Sequence, residues 1–301
     1  MGAADRIKGK RMMNVMLKAV LVLLFGGAVS VPLWAEEERL VTIGGDVTEI
    51  VFALGAGDQV VAVDTSSLYP PAVQQLPQLG YLRNLSAEGV LSVRADRILA
   101  NSDMGPPPVK TQLMASGIAL ELIPNQPSLA ALYEKIEQIA AALGRQSQGH
   151  EISENLRRKF ATLEERRAGL KTRPGVLFIM NHGGGSPMIA GADTAPDTLI
   201  SLMGGRNVAS AIRGYKPMTP EAVVSAAPEW LLISDQGLAQ FGSVDALFRQ
   251  PGLQLTPAAR KQHVISMDAL LLMGFGPRTA DAATTLFDRL HGGESAVADG
   301  P

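Results

Sequence analysis

Cysteine is absent from this chain, and its absence removes several kinds of site. Disulfides, iron–sulfur clusters and zinc sites built on thiolates all require cysteine side chains. The four histidines stand far apart in the sequence, so they do not suggest a zinc or manganese cluster. Oxygen and nitrogen donors therefore remain the main options for binding a metal ion.

An excess of charge of either sign is also missing. The formal net charge is −2 over 301 residues, which gives no reason to expect nucleic acid as a partner. Hydrophobic residues make up 46% and charged residues 19%, and this balance indicates a globular chain. The length is sufficient for two domains of ordinary size.

Long apolar runs are missing except near the N-terminus. There, several Lys and Arg residues precede an apolar run at 19–31, which is followed by a small-residue exit ending at Ala35 and by three glutamates. This order is typical of a secretory signal peptide, so residues 1–35 are predicted to be removed after export. The alternative is a retained membrane anchor, but the run is short compared with the roughly 20 residues of a membrane span.

Short apolar strands alternate with helices along the rest of the chain, which predicts an α/β fold with mostly parallel sheets covered on both faces. A highly charged helix at 150–170 separates two groups of strands and is predicted to connect two lobes. In the first lobe, Asp46 or Thr48 is predicted to cap a helix at 49–54. The predicted strands are 40–43, 60–63, 97–100, 120–123, 176–180, 230–234 and 264–267. The predicted domains are an N-terminal lobe at 36–144, a connecting helix at 145–173, a C-terminal lobe at 174–293 and a disordered tail at 294–301.

The second half of the chain repeats a pattern of the first. Segment 86–103 aligns with segment 219–235: each has a hydroxyl cap, a glutamate at the second helical position, an apolar helix, an apolar strand and a polar loop. A Gly-Tyr pair precedes each copy, at 80–81 and 214–215. The joint match predicts an internal duplication. Two related lobes would leave a cleft between them, and clefts at domain interfaces bind ligands.

Tyr69 stands in a stiff loop directly after the strand at 60–63. Pro70 and Pro71 fix their own φ angles, and a proline also restricts the residue before it to extended conformations. Loops at strand ends of α/β proteins carry ligand contacts. Arg83 follows in the same loop region. A phenol held near a guanidinium can ligate a metal or bind an anionic ligand.

Six motifs carry a resemblance to a known family. From about residue 40 to residue 290, the chain resembles the class III (cluster A-III) periplasmic substrate-binding proteins of ABC importers, and within them the haem-binding members. The motifs are Gly-Gly-Asp-Val-Thr-Glu-Ile at 44–50, Ser-Leu-Tyr-Pro at 67–70, Gly-Tyr-Leu-Arg at 80–83, Asn-His-Gly-Gly-Gly-Ser-Pro-Met at 181–188, Gly-Tyr-Lys-Pro-Met at 214–218 and Leu-Met-Gly-Phe-Gly-Pro-Arg at 272–278.

The resemblance implies two Rossmann-like lobes on a long rigid helix. It also implies a monomeric periplasmic carrier without enzymatic activity. Such a carrier takes ferric haem b that has passed an outer-membrane haem receptor, and delivers it to an inner-membrane ABC permease and ATPase.

The resemblance assigns iron ligation to Tyr69. Phenolate is a hard anionic oxygen donor that suits Fe(III). Arg83 is then expected to donate to the phenolate or to a haem propionate. His182, in the glycine-rich loop, is the candidate ligand of a second haem, so one or two haems are expected per chain. The alternatives for His182 are a surface histidine or the oxyanion-hole loop of a hydrolase.

Further site residues follow from the same resemblance. Tyr81 and Tyr215 are expected to line the cleft, Arg213 and Lys216 to pair with propionates, and Met273, with Met188, to contact the macrocycle. For each of these there is a plainer interpretation: packed loop aromatics, solvated charges and core methionines, respectively.

Glu88 and Glu221 occupy equivalent places in the duplicated segments. In the family, one glutamate on each lobe docks onto arginines of the permease, and this role is expected of both residues. A glutamate in the first turn of a helix also interacts favourably with the helix dipole, which explains their positions without a partner.

Two other functions remain as alternatives. A cobalamin or ferric-siderophore carrier would have the same fold, but Tyr69 as a ligand argues against it, because the metal in those ligands is already largely coordinated. A secreted α/β hydrolase would use the glycine-rich loop around His182. The chain contains no Gly-x-Ser-x-Gly sequence, which such a hydrolase requires for its nucleophile.

Overall fold

The computed structural model describes residues 38–181 and 186–292. The predicted signal peptide at 1–35, His182 with its three glycines and the predicted tail at 294–301 lie outside the described residues. None of the described helices is long and apolar enough to cross a membrane.

The first lobe contains a four-stranded parallel sheet with the strand order β2-β1-β3-β4. All four strands fall where the sequence predicts them, because each is a short apolar run ended by polar or small residues. β1 is completely buried, which is usual for a central strand of a parallel sheet with helices on both faces. The strands are β1 (Leu40–Ile43), β2 (Val60–Val63), β3 (Arg97–Asn101) and β4 (Ala119–Ile123).

Four α-helices and two short 3-10 helices complete this lobe. They are α1 (Gly45–Ala53), α2 (Ala87–Ser92), α3 (Pro107–Ala115), α4 (Leu129–Ala142) and the 3-10 helices Gly57–Gln59 and Pro71–Gln75. The Ser86 hydroxyl caps α2 by accepting a hydrogen bond from the Gly89 N–H. This is the cap that the sequence predicts.

The predicted cap of α1 is wrong. The helix begins at Gly45, so Asp46 and Thr48 lie inside it. The first N–H groups of the helix are satisfied from the neighbouring loop instead: the Asp64 carboxylate accepts from the Gly44 N–H and the Ser66 hydroxyl accepts from the Gly45 N–H. The side chain of Asp46 is thereby free for another role.

The connecting helix α5 spans Gln146–Ala168 and lies between the two lobes in the chain. Its buried stripe includes Leu156, Phe160 and Leu163, and its other face is charged. α5 packs against α4 of the first lobe and against the last helix, α12 (Thr279–Gly292), of the second. One hydrophobic cluster therefore runs continuously from the first lobe through α5 into the second.

The second lobe contains a mixed sheet with the strand order β10-β9-β5-β6-β8, and β7 pairs with β5. β5, β9 and β10 are parallel and were predicted, whereas β6 and β8 run antiparallel and were not. The strands are β5 (Gly175–Met180), β6 (Met188–Ala190), β7 (Arg206–Asn207), β8 (Tyr215–Pro217), β9 (Trp230–Ser234) and β10 (Val264–Met267).

Within residues 186–292, seven α-helices accompany this sheet. α7 begins with Thr219 as its cap, and the Thr219 hydroxyl accepts a hydrogen bond from the Ala222 N–H. The two lobes thus share the capped helix that the duplication predicts. The helices other than α12 are α6 (Ala195–Leu202), α7 (Pro220–Ala226), α8 (Asp235–Phe241), α9 (Val244–Phe248), α10 (Pro257–Lys261) and α11 (Ala269–Met273), with a 3-10 helix at Leu253–Leu255.

Candidate functional site

A cleft of about 620 Å³ lies between the two lobes. This volume falls within the range of small-molecule and cofactor sites. The first lobe contributes a wall, here called the polar wall, and the second lobe contributes a wall called the apolar wall. The polar wall consists of Gly44, Gly45, Asp46, Ser66, Leu68, Tyr81, Leu82, Arg83, Asn101, Asp103, Asn125 and Pro127; the apolar wall consists of Met180, Met188, Asp193, Ala195, Tyr215, Ala269, Leu270, Met273, Gly274 and Phe275.

The polar wall forms where the parallel strands of the first sheet end. Asp46 follows β1, Asn101 ends β3 and Asn125 follows β4, and all three line the cleft. The carboxyl ends of parallel strands meet at one edge of a sheet, and ligands of α/β proteins bind outside that edge. The position of the cleft is thus a direct consequence of the sheet topology.

The loop after β2 is held by one buried carboxylate. Asp64 accepts hydrogen bonds from the hydroxyls of Ser66 and Ser67 at 2.6 and 2.9 Å, besides the one from the Gly44 N–H at 2.7 Å. The loop also lies against Gly45, where a Cβ atom would be only 2.3 Å from the Ser66 carbonyl oxygen. Glycine is therefore required there, and the loop is held in place by close packing and by the hydrogen bonds to Asp64.

Tyr69 follows this rigid loop but is not among the residues that line the cleft. The guanidinium of Arg278, from the second lobe, lies 3.5 Å from the centroid of the Tyr69 ring. Arg278 also donates from its backbone N–H and its guanidinium to the buried Glu49 carboxylate, at 3.1 and 2.7 Å. Tyr69 thus takes part in a contact between the lobes while its side chain stays 39% exposed, and its role as iron ligand remains a prediction.

Tyr81 and Arg83 both line the polar wall. Gly80 adopts a φ of +94°, which turns the chain just before Tyr81. Tyr81 is 50% exposed and lines the cleft. Arg83 donates to the Asp103 carboxylate at 2.9 Å, and its side chain remains 60% exposed. The phenol whose pKa responds to the charge of Arg83 is that of Tyr215, across the cleft.

Five side chains of the first lobe form a closed ring of hydrogen bonds, here called the polar ring. Asn101 donates to Asp46 at 3.0 Å, and Asp103 donates from its backbone to the Asn101 side-chain oxygen at 2.9 Å. Asn125 donates to Asp103 at 3.3 Å, and Lys135 closes the ring by donating to Asn125 at 3.3 Å and to Asp46. Sequence reasoning missed this ring.

The apolar wall presents methionine, leucine and aromatic side chains. Met273 and Met188 line the cleft, as predicted, together with Leu270 and Phe275. Tyr215 is the aromatic hydroxyl of this wall. Burial raises its pKa to about 12, and the nearby charge of Arg83 opposes part of that rise. The Tyr215 hydroxyl therefore stays protonated at neutral pH, as a hydrogen-bond donor rather than a phenolate.

Two predicted cations lie at the rim. Arg213 forms an ion pair with Asp193 at 2.5 Å, and its side chain is 85% exposed. Asp193 lines the cleft, whereas Arg213 and the exposed Lys216 do not. Their predicted pairing with propionates has no support from the shape of the cleft.

Glu88 and Glu221 are both exposed, in the first turns of α2 and α7. They occupy matching positions after the caps of the two lobes, as the duplication predicts. Within 38–181 and 186–292, no group of three or more His, Asp or Glu residues is arranged to hold a metal ion.

Comparison with known proteins defines the class. The profile of the periplasmic binding protein family matches residues 40–271. The periplasmic heme-binding protein RhuT from Roseiflexus sp. RS-1 is 40% identical and superposes with a TM-score of 0.81, over 83% of this chain and 97% of that one. The periplasmic heme-binding protein BhuT, solved with two hemes, is 39% identical with a TM-score of 0.79, over 84% and 97%.

More distant sequences point to the same class. An uncharacterized ABC transporter substrate-binding lipoprotein from Bacillus subtilis, YvrC, is 25% identical over 85% of this chain and 81% of its own length. A vitamin B12-binding protein from Photorhabdus laumondii is 26% identical over 71% and 76%.

Two α/β lobes, a helical connector and a ligand-sized cleft define a bilobal substrate-binding protein of the class III fold. The chain belongs to the periplasmic binding protein family. It is accordingly a substrate-binding component of an ABC importer and not an enzyme, which confirms the predictions of fold and of a non-catalytic carrier.

Proposed function

We propose that this protein carries ferric haem in the cleft between its lobes. The observation that carries the proposal is that Tyr81 and Arg83 both line one wall of the cleft, opposite an apolar wall. A phenol can ligate Fe(III), a guanidinium can pair with a propionate, and methionine and leucine side chains can pack on a flat macrocycle. The haem-binding neighbours RhuT and BhuT support the same ligand.

Two tyrosines are candidates for the axial ligand. The sequence predicts Tyr69, which is 39% exposed, whereas we favour Tyr81, which is 50% exposed and lines the cleft. The ring of Tyr69 is covered on one face by Arg278. We therefore assign iron ligation to Tyr81 and an inter-lobe contact to Tyr69.

Arg83 and Tyr215 complete the proposed site from opposite walls. Arg83 is the cation of the described cleft lining, so it takes a propionate. Tyr215 stays protonated and donates a hydrogen bond to the ligand. Arg213 and Lys216 lie at the rim and contribute, at most, to attracting an anionic ligand.

The number of haems is the second part of the proposal. BhuT binds two hemes, so a second haem, with His182 as its ligand, remains the prediction for this chain. Titration of hemin into the wild type and into His182→Ala tests it. An endpoint that falls from two haems to one supports a second site, and a wild-type endpoint of one removes it.

Absorption spectroscopy tests the axial ligand. Hemin added to the wild type is expected to give a Soret band and the charge-transfer band of high-spin ferric haem with an oxygen ligand. Tyr81→Phe is expected to lose that charge-transfer band, and the matched variant Tyr69→Phe is expected to keep it. The opposite pattern would return the ligand role to Tyr69, and no binding by the wild type would refute the haem proposal.

Cobalamin is the second candidate ligand, because vitamin B12-binding proteins are among the relatives. The half-exposed Tyr81 and the guanidinium of Arg83 on the same wall favour haem, because cobalamin brings its own axial ligands and carries amide side chains instead of carboxylates. Competition between cyanocobalamin and hemin decides: displacement of hemin by equimolar cyanocobalamin would favour the corrinoid.

Docking to the permease is assigned to Glu88 and Glu221, one on each lobe. Both are exposed and their positions match, so they can meet the two halves of a symmetric partner. In this scheme the carrier takes haem delivered by an outer-membrane receptor. Glu88→Lys and Glu221→Lys are expected to bind hemin normally but to abolish transport by the reconstituted importer. Undiminished transport by both variants would contradict the assignment.

A further inference from the structure

The polar ring ends at the cleft on Asp103, and Asp103 holds Arg83. We infer that Asp103, supported by the ring, is a positioning residue that presents Arg83 to one carboxylate of the ligand, and that the ring thereby makes the cleft selective for an acidic tetrapyrrole. This inference rests on the proposed haem function. It adds residues that the sequence motifs do not contain.

Three hydrogen bonds fix Asp103. Its carboxylate oxygen Oδ2 accepts from Arg83 at 2.9 Å and from Asn125 at 3.3 Å, and its backbone N–H donates to Asn101 at 2.9 Å. The carboxylate therefore cannot turn away from Arg83 without breaking a second bond. Asp103 has a defined position although its side chain is 40% exposed.

The far side of the ring provides the rigidity. Lys135 is 2% exposed, and Asp46 and Asn101 are each 4% exposed. Lys135 also donates to the Phe275 carbonyl oxygen of the second lobe at 3.5 Å, so the ring is tied to both lobes. Buried and fully satisfied polar networks are stiff, because every rearrangement leaves a polar group unpaired.

The cleft side of the ring carries the selectivity. An arginine that is 60% exposed would otherwise occupy many rotamers, and ordering it would cost free energy when the ligand binds. Asp103 engages one terminal nitrogen of Arg83, and no other hydrogen bond of that guanidinium falls within the described residues. The other N–H groups are thus available for a carboxylate in the bidentate geometry that arginine favours.

Charge balance explains why the ring does not repel a carboxylate. Asp46 is neutralised by Lys135 and Asp103 by Arg83, so the ring with its arginine has no net charge. A carboxylate that shares Arg83 meets a guanidinium that is already in place. A ligand with amide or ester groups instead gains little from the same contact.

The test compares hemin with hemin dimethyl ester, in which both propionates lose their charge. The affinity ratio of the two ligands is measured by absorbance titration for the wild type, Arg83→Ala and Asp103→Asn. Arg83→Ala lacks the guanidinium, so it is expected to give the lowest ratio of hemin affinity to ester affinity. Asp103→Asn is expected to lower the ratio about 3- to 10-fold, since ordering one long side chain costs about that factor. Asn125→Ala, which loosens Asp103 but keeps its charge, is expected to lower it less.

Asp193→Asn is the matched control. It removes a carboxylate from the opposite wall, where Asp193 pairs with Arg213 and has no hydrogen bond to the ring. The ratio of hemin affinity to ester affinity is not expected to fall in Asp193→Asn. An unchanged ratio in Asp103→Asn would show that Asp103 does not position Arg83, and a raised ratio would show that it competes with the ligand; either result would overturn the inference alone. A wild type that binds no hemin would overturn both the inference and the haem function. Thermal unfolding of each variant confirms that it is folded.

Discussion

The two walls of the cleft differ in chemistry although related sequences build them. In the first lobe, the end of β3 carries Asn101 and Asp103, which join the polar ring. In the second lobe, the matching strand β9 ends at Ser234, whose hydroxyl caps α8 by accepting from the Gly237 N–H. The end of β3 therefore contributes to the ligand-binding wall, whereas the end of β9 caps a helix.

Because of this difference, the two walls can recognise different parts of a ligand. The polar wall holds a buried ion pair and an ordered arginine, so it can fix the direction of a charged ligand. The apolar wall has methionines, Leu270 and Phe275, so it can supply contact area with little directional preference. A ligand that is flat, apolar and acidic at one edge matches both walls at once.

The largest expected effect comes from breaking the ion pair beneath the polar wall. Lys135→Met leaves Asp46 buried without its cation, so the free energy of unfolding should fall by about 3–5 kcal/mol. Lys159→Met, which breaks an exposed pair with Asp281 at 2.6 Å, should cost about 0–1 kcal/mol. Urea unfolding measures both. A loss below about 1 kcal/mol for Lys135→Met would mean that the polar wall does not depend on this pair.

The next effect concerns the hydroxyl of the apolar wall. The pKa of Tyr215 is raised from 10.0 to about 12 in the folded protein, so its contribution to stability is complete below pH 10 and is lost as the pH rises from 10 to 12. The loss amounts to about 2–3 kcal/mol, since one pKa unit corresponds to about 1.4 kcal/mol. Urea unfolding at several pH values should show this additional slope in the wild type but not in Tyr215→Phe. Equal pH slopes of the free energy of unfolding in the wild type and in Tyr215→Phe would mean that the Tyr215 hydroxyl is solvated.

A smaller effect separates the walls by ligand chemistry. Met273→Ala removes part of the apolar wall, so it should weaken hemin binding by about 1–2 kcal/mol, or roughly 5- to 30-fold in Kd. Hemin dimethyl ester should lose the same factor, because the methionine contacts the macrocycle and not the propionates. Absorbance titration with both ligands tests this. Unequal losses of affinity for the two ligands would mean that the apolar wall also interacts with the propionate charges.

The smallest effects on the free energy of unfolding are expected from the helix caps that the two lobes share. Ser86→Ala and Thr219→Ala each remove a cap in the same position of the duplicated segment, and each should cost about 1 kcal/mol. Urea unfolding of the two variants should give similar values. A difference of more than about 1 kcal/mol would mean that the capped helices have diverged as much as the cleft walls have.

Much of the fold could be predicted from the sequence because its signals are local. The long buried strands and the Ser86 and Thr219 caps each depend on a few neighbouring residues. The short strands β6, β7 and β8 were missed because they have only two or three residues each, and their pairing, antiparallel for β6 and β8, is decided by distant segments.

The site could be predicted only in part. The position of the Tyr69 loop after β2 was predicted correctly, but the surroundings of the Tyr69 side chain are decided by Arg278, at the other end of the chain. Asp46 was interpreted as a helix cap, although its carboxylate joins the polar ring. One signal could have identified the ring: Asp46, Asn101 and Asn125 are polar residues at the ends of three neighbouring parallel strands.

The contact around Arg278 has a consequence for the energy of cargo release. The segment 275–278 of the second lobe is bound by Glu49, by Lys135 and by the ring of Tyr69, all from the first lobe. A hinge motion of the lobes has to break these contacts together, and one of them involves a nearly buried carboxylate. We therefore expect the two lobes to move as one solid body at thermal energies. We then expect the work of opening the cleft to come from binding to the importer rather than from spontaneous motion of the carrier.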